Sequence, residues 1–122
     1  MGTNPINLGL RFILEIVALG TFGTWGYHQT SSGLRWVIAL FLPLLFASLW
    51  GIFAVPDDPS RSGGAPVVIS GLLRLILELS FFSLTSIALF NLGYTKPTWI
   101  FSCAVVLHYL FSYDRILWLL ER

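Results

Sequence analysis

Residues 10–15 read LRFILE, and 63 residues later the chain reads LRLILE at residues 73–78. Five of the six positions are identical, and in both copies an arginine and a glutamate stand four residues apart within a long apolar segment. That spacing places both charges on the same face of a helix. Because charged side chains are rare within membrane-spanning helices, the repeated pair indicates that the chain contains two related units.

Four apolar segments surround these hexapeptides, at about residues 5–28, 33–54, 66–91 and 97–120. Each exceeds the ~20 residues that a helix needs to cross ~30 Å of hydrocarbon. Stretches such as residues 36–42 do not alternate between polar and apolar positions, as the strands of a membrane barrel would. We therefore predict an all-α fold, with a single integral membrane domain over residues 1–122 and a cytoplasmic loop at residues 55–65.

Short connections between the segments predict antiparallel neighbours, and hence an up-down-up-down four-helix bundle. The 63-residue offset also aligns Trp36 with Trp99 and Phe46 with Tyr109 in the sequence. Each repeat unit would then contain two helices, and the two units would share one orientation. Repeats of this kind are related by an axis along the membrane normal.

Composition excludes several classes of protein. Of the 122 residues, 56% are hydrophobic and 11% are charged, against roughly 25% charged in soluble domains. The chain contains seven Lys and Arg residues and six Asp and Glu residues. It therefore lacks the basic character of a nucleic-acid binder. A single cysteine, Cys103, excludes an intrachain disulfide and a multi-cysteine metal site.

The charges within the apolar segments must avoid lipid, because one charge at the bilayer centre costs about 2.5–3.5 kcal/mol on insertion scales. We expect a crossed arrangement in which Arg11 faces Glu78 and Arg74 faces Glu15. Asp114 and Arg115 could extend this cluster from the fourth helix. The candidate ligand-binding residues are Arg11, Glu15, Arg74, Glu78, Asp114, His108 and Trp50.

Two functions fit such a cluster. It could bind, or help to translocate, a small polar or anionic solute, with membrane lipid around it and a homo-oligomer forming the complete unit. Alternatively, balanced charges could only fix helix packing in a structural or accessory protein that contacts another membrane protein. A membrane enzyme acting on lipid is a third class. No nucleophile–base pair, glycine-rich phosphate loop or metal-ligand spacing supports it, so we assign no catalytic residue, metal or cofactor.

The loop at residues 55–65 is rich in proline, glycine, serine and charged residues. It could be a lid over the end of the bundle, formed by Asp57, Asp58 and Arg61, or a solvated linker between the repeats. The N-terminus, this loop and the C-terminus would share one side of the membrane. That side carries more arginine than the other, which predicts that both termini are cytoplasmic.

Together these stretches resemble the YrdB-like family of small bacterial membrane proteins, over nearly the whole chain. The matching stretches are residues 7–15, 25–26, 50–56, 58–63 and 73–78, together with Pro43. The resemblance implies a bacterial source, four membrane spans and a location in the cytoplasmic membrane. It implies no reaction, substrate or cofactor. It does include the loop, which makes the lid as well supported as a plain linker, although composition alone favours the linker.

Overall fold

The computed structural model describes residues 4–61 and 64–122, and the regular secondary structure there is helical apart from one short pair of strands. The all-α prediction is therefore confirmed. The elements, in chain order, are α1 (Pro5–Tyr27), α2 (Leu34–Ile52), β1 (Phe53–Ala54), β2 (Val67–Val68), α3 (Gly71–Asn91), α4 (Thr95–Phe111) and α5 (Tyr113–Leu120).

The starts of α1 and α3 are set by local capping. Before α1, the Asn4 side chain accepts a hydrogen bond from the Ile6 amide at 2.9 Å, and Pro5 occupies the first turn. The third apolar segment was expected to begin its helix at about residue 66. It begins at Gly71 instead, because β2 pairs in parallel with β1 and Ser70 then caps the helix. This pairing joins the end of α2 to the start of α3.

The fourth apolar segment is not the continuous helix expected over residues 97–120. The chain bends by 68° between α4 and α5. At the break, the Ser112 amide bonds to the Tyr109 carbonyl at 3.2 Å, and the Ser112 hydroxyl accepts a hydrogen bond from Asn7 of α1 at 2.6 Å. The bend directs α5 across the start of α3, where Arg115 and Leu119 become buried.

In the described part of the chain, three helices are long and apolar enough to cross a membrane: α1, α2 and α3. The bent pair α4 and α5 makes a fourth candidate if it forms one span. Large apolar side chains cover the outside of the molecule: Leu44 is 67% exposed and Ile100 is 70% exposed. Water-soluble monomers rarely expose such continuous apolar surface. This exterior is consistent with a membrane protein.

The interior contains an aromatic cluster between α1, α2 and α3. Phe22 stacks on Phe46 with ring centroids 4.2 Å apart, and both rings contact Phe81 edge-on. Trp50 continues the cluster, with its ring centroid 4.8 Å from that of Phe81. These rings fill the centre of the molecule and support the buried charges that lie next to Trp50.

The first residue of α3 has no room for a side chain. A Cβ atom built on Gly71 would lie 1.6 Å from the Leu119 carbonyl oxygen, so the backbones of α3 and α5 touch there. By contrast, a Cβ atom on Gly20 of α1 would meet nothing within 4 Å. Only glycine allows the contact between α3 and α5.

We predict that Gly71→Ala destabilises the protein, because α5 must move away from α3 to admit the methyl group. Gly20→Ala is the matched control. It should be neutral or stabilising by up to about 1 kcal/mol, since alanine is the better helix former. Unfolding in mixed detergent micelles, followed by circular dichroism, measures both. Equal stability of the two variants would show that the close approach of α3 and α5 is unimportant.

Candidate functional site

The carboxylate of Glu78, on α3, is completely buried and is surrounded by donors from four helices. Arg11 of α1 and Arg115 of α5 each contact both of its oxygens, at 3.0–3.1 Å and 2.8–2.9 Å. Arg74, one turn earlier on α3, donates from Nε at 2.7 Å, and the Tyr109 hydroxyl of α4 donates at 2.7 Å. A carboxylate has about four lone-pair positions, so Glu78 has no capacity left for a further ligand.

Arg74 also holds the end of α2 in place. Its Nη1 donates to the carbonyl oxygens of Trp50 and Phe53, at 2.5 and 2.6 Å. These carbonyls belong to the last turn of α2 and its cap, where backbone acceptors have no partner within the helix. The guanidinium carbons of Arg74 and Arg11 lie 4.6 and 4.9 Å from the centroid of the Trp50 ring. Trp50 therefore packs against both cations.

The loop joins the cluster through Asp58. Its carboxylate accepts two hydrogen bonds from Arg115, at 2.9 and 2.6 Å, and also accepts from the amide and hydroxyl of Ser60, both at 2.9 Å. Burial alone would raise the pKa of Asp58, but the hydrogen bonds and positive charge of Arg115 hold that pKa below its ordinary value of 3.8. Arg115 thus bridges the loop to Glu78.

The two copies of the repeated hexapeptide occupy different environments. The expected pair of Arg11 and Glu78 is present, but the expected pair of Arg74 and Glu15 is replaced: Arg74 binds Glu78 instead. Glu15 lies 3.5 Å from Arg11 Nε on its own helix, and its side chain is 25% exposed. Glu78 is therefore the centre of the cluster and Glu15 lies at its edge.

A polar pocket of about 290 Å³ lies beside the cluster, and we call it the arginine pocket. It is lined by Arg11, Glu15, Trp50, Gly51, Ser60, Arg61 and Arg74. Arg61 donates from Nη2 to the Gly51 carbonyl at 3.1 Å, while its Nε is buried and has no hydrogen-bond partner within residues 4–61 and 64–122. The lining contains three arginines and one carboxylate, so the pocket wall is positive even though Arg11 and Arg74 share Glu78.

The other candidate residues lie outside this pocket. His108 is 2% exposed, and its Nδ1 lies 2.9 Å from the Asn7 side-chain oxygen. Asp114 is on the exposed side of α5, although its neighbour Arg115 enters the cluster. In the loop, Asp57 is exposed and has a positive φ of 63°. Of the two loop aspartates, Asp58 is the one that contacts the charged cluster, through Arg115.

Sequence reasoning missed Tyr109 as a ligand of Glu78. It also missed the buried chain in which Asn7 contacts both Ser112 and His108. A tyrosine within an apolar helix needs a partner for its hydroxyl group, and this was the available signal. It could not identify the partner, because Tyr109 and Glu78 belong to different helices.

We predict that Glu78→Gln lowers the free energy of unfolding by about 3–5 kcal/mol, because it leaves buried guanidinium groups without their counter-charge. Glu15→Gln, at the equivalent position of the other repeat copy, should change it by less than about 1 kcal/mol, since its single ion pair is partly exposed. Denaturant titration in micelles compares the two. Equal losses would contradict the central role of Glu78.

The depressed pKa of Asp58 predicts a pH dependence. Above 3.8, the ionised carboxylate stabilises the folded state, and this contribution is lost as the pH falls below 3.8 toward the folded-state pKa. At neutral pH, Asp58→Asn should therefore lower the free energy of unfolding by about 1.5–3 kcal/mol. The difference between variant and wild type should shrink in acid.

Asp57→Asn is the control for the loop, because it removes an exposed charge and asparagine tolerates a positive φ. Its stability should match that of the wild type across the same pH range. If Asp58→Asn and Asp57→Asn behave alike at neutral pH, the bridge from Asp58 to Arg115 does not stabilise the loop.

Comparison with known proteins agrees with the resemblance seen in the sequence. Residues 9–106 match the family described as "Protein of unknown function (DUF2568)". The chain is 42% identical over 120 residues to "Uncharacterized protein YrdB" of Bacillus subtilis (strain 168), covering 98% of this chain and 97% of that protein. No solved structure matches. The chain therefore belongs to the DUF2568 family.

Proposed function

We propose that this chain is a polytopic membrane protein that binds a small anionic solute in the arginine pocket, either as a receptor or as one step of translocation. In this proposal the Glu78 cluster is the scaffold and the pocket beside it is the binding site. The observation that carries it is Arg61: its Nε is buried at a positive pocket wall with no hydrogen-bond partner in the described residues.

Pocket chemistry supports an anion over a neutral or cationic solute. Guanidinium groups are donors only, and their planar fork matches the oxygens of a carboxylate or phosphate. Four arginines of the cluster and pocket face three carboxylates, Glu15, Asp58 and Glu78, so one positive charge is in excess. The volume of about 290 Å³ is just below the ~300–1,000 Å³ typical of ligand sites.

The proposal includes the four-helix, up-down-up-down arrangement of two parallel repeats. Contacts at one end of the molecule support it. Asn7 near the start of α1 contacts Ser112 at the end of α4, and Asp58 of the loop contacts Arg115 of α5. At the other end, Trp25 of α1 donates to Asn91 of α3 at 3.1 Å.

We also propose that both termini and the loop face the cytoplasm, since arginines are more numerous at that end of the molecule than at the other. A cysteine introduced at Asp57, in a Cys103→Ser background, should be shielded from a membrane-impermeant thiol reagent in intact cells. A cysteine at Ser31 should react. The reverse pattern would invert the orientation.

A structural or accessory role is the second candidate function, and one observation favours it. Every oxygen of Glu78 is already engaged by Arg11, Arg74, Arg115 and Tyr109. Such a saturated cluster can fix helix packing without any ligand. In this case the free protein would bind no anion and would instead be isolated with a membrane-protein partner.

Calorimetric titration of the purified chain in dodecyl maltoside with inorganic phosphate tests the proposed function. We expect saturable binding that weakens at least about tenfold in Arg61→Gln, because a hydrogen bond to a charged group contributes about 1.5–3 kcal/mol. Arg35→Gln is the control, since Arg35 contacts Tyr27 and Thr30 at the other end of the molecule. Absence of phosphate binding, or equal weakening in both variants, would reject the arginine pocket as an anion site.

A further inference from the structure

An apolar groove of about 390 Å³ lies on the outside of the molecule between α2 and α3. On α3 its lining residues extend from Leu73 through Ile76 to Leu84, a length of roughly 16 Å at ~1.5 Å per residue. All three side chains are exposed at the surface. The groove is therefore open to whatever surrounds the helices, along a length suited to an extended hydrocarbon chain.

The groove and the arginine pocket meet at Trp50, which lines both. On the pocket side, the guanidinium groups of Arg11 and Arg74 pack against the Trp50 ring. On the groove side, the same ring contacts Phe81. On α3, Leu73 lines the groove and the next residue, Arg74, lines the pocket. A cationic pocket and an apolar groove thus adjoin at one tryptophan.

We propose that the ligand of the arginine pocket is an anionic phospholipid, whose headgroup phosphate lies in the pocket and whose acyl chain lies in the groove. This inference rests on the proposed function of the pocket as an anion site. The juxtaposition of charge and apolar surface carries it, because an amphiphile combines these two chemistries in one molecule. The lipid reaches the pocket laterally, without leaving the membrane.

The two parts of the site have different tasks. Lipid tails are as apolar as leucine side chains, so moving an acyl chain from the bilayer into the groove gives no hydrophobic driving force. Selectivity must come from the headgroup, where the excess positive charge attracts phosphate and repels the ammonium group of a zwitterionic lipid. The groove positions the lipid by packing, and so places its headgroup next to Trp50.

Titration of the full chain in dodecyl maltoside, followed by native mass spectrometry, tests this inference. The probes are phosphatidylglycerol and phosphatidylcholine with identical acyl chains. The calorimetric titration with inorganic phosphate measures binding of a soluble anion for comparison. We expect phosphatidylglycerol to bind about tenfold more tightly than phosphatidylcholine. Arg61→Gln should weaken both phosphatidylglycerol and phosphate binding.

A groove variant separates the lipid from a soluble anion. Ile76→Trp fills the groove and should weaken phosphatidylglycerol binding by about fivefold or more, as expected from lost packing, while phosphate binding remains unchanged. Leu79→Trp is the control on the same helix: Leu79 is 43% exposed and is not among the groove residues. Retained phosphate binding also shows that each variant is folded.

The outcomes distinguish the two proposals. If phosphate binds but Ile76→Trp and Leu79→Trp have the same effect on phosphatidylglycerol, the lipid inference is overturned and the anion pocket stands. Equal affinity for the two lipids also overturns it, since the headgroup would then not be recognised. If neither phosphate nor phosphatidylglycerol binds, both proposals fail.

Discussion

A carboxylate without any exposed surface needs donors arranged around it, because burial of an uncompensated charge is highly unfavourable. Glu78 obtains its donors from α1, α3, α4 and α5. These helices must therefore converge on one point before the charge is neutralised. The break at Ser112 follows from the same need, since it directs Arg115 of α5 toward that point. Arg74 also connects the end of α2 to this cluster, because its Nη1 donates to the carbonyl oxygens of Trp50 and Phe53.

The duplicated hexapeptide shows how similar sequences acquire different roles. Glu15 and Glu78 each end a copy of the hexapeptide, yet one is partly exposed and the other is fully buried. The partners of Glu78 explain the difference. At the 63-residue offset, Tyr109 and Arg115 correspond to Phe46 and Ile52 in the first repeat unit. Neither Phe46 nor Ile52 can donate a hydrogen bond to Glu15 from its side chain. Glu15 therefore pairs with Arg11 and lines the arginine pocket.

Structural and binding roles are thus divided between neighbouring charges in our proposals. The charges around Glu78 satisfy one another and give the helices their register. Arg61, which comes from the loop, adds a positive charge that no carboxylate of the described chain pairs with. The loop therefore has two tasks: Asp58 attaches it to Arg115, and this attachment holds Arg61 at the pocket wall. Such an arrangement makes residues 58–61 a fixed part of the proposed site.

The sequence by itself determined the helical class, the four apolar segments, the family resemblance and the presence of the repeated Arg–Glu pairs in two helices. These features depend on hydropathy and on four-residue spacing, which are local properties of the chain. Only the tertiary structure decided that Glu78 is central, that Tyr109 and Arg115 surround it, and that Asp58 joins them. Each of these contacts connects segments more than 30 residues apart. Which residues meet depends on how the helices pack and where α4 ends, and no local pattern specifies either.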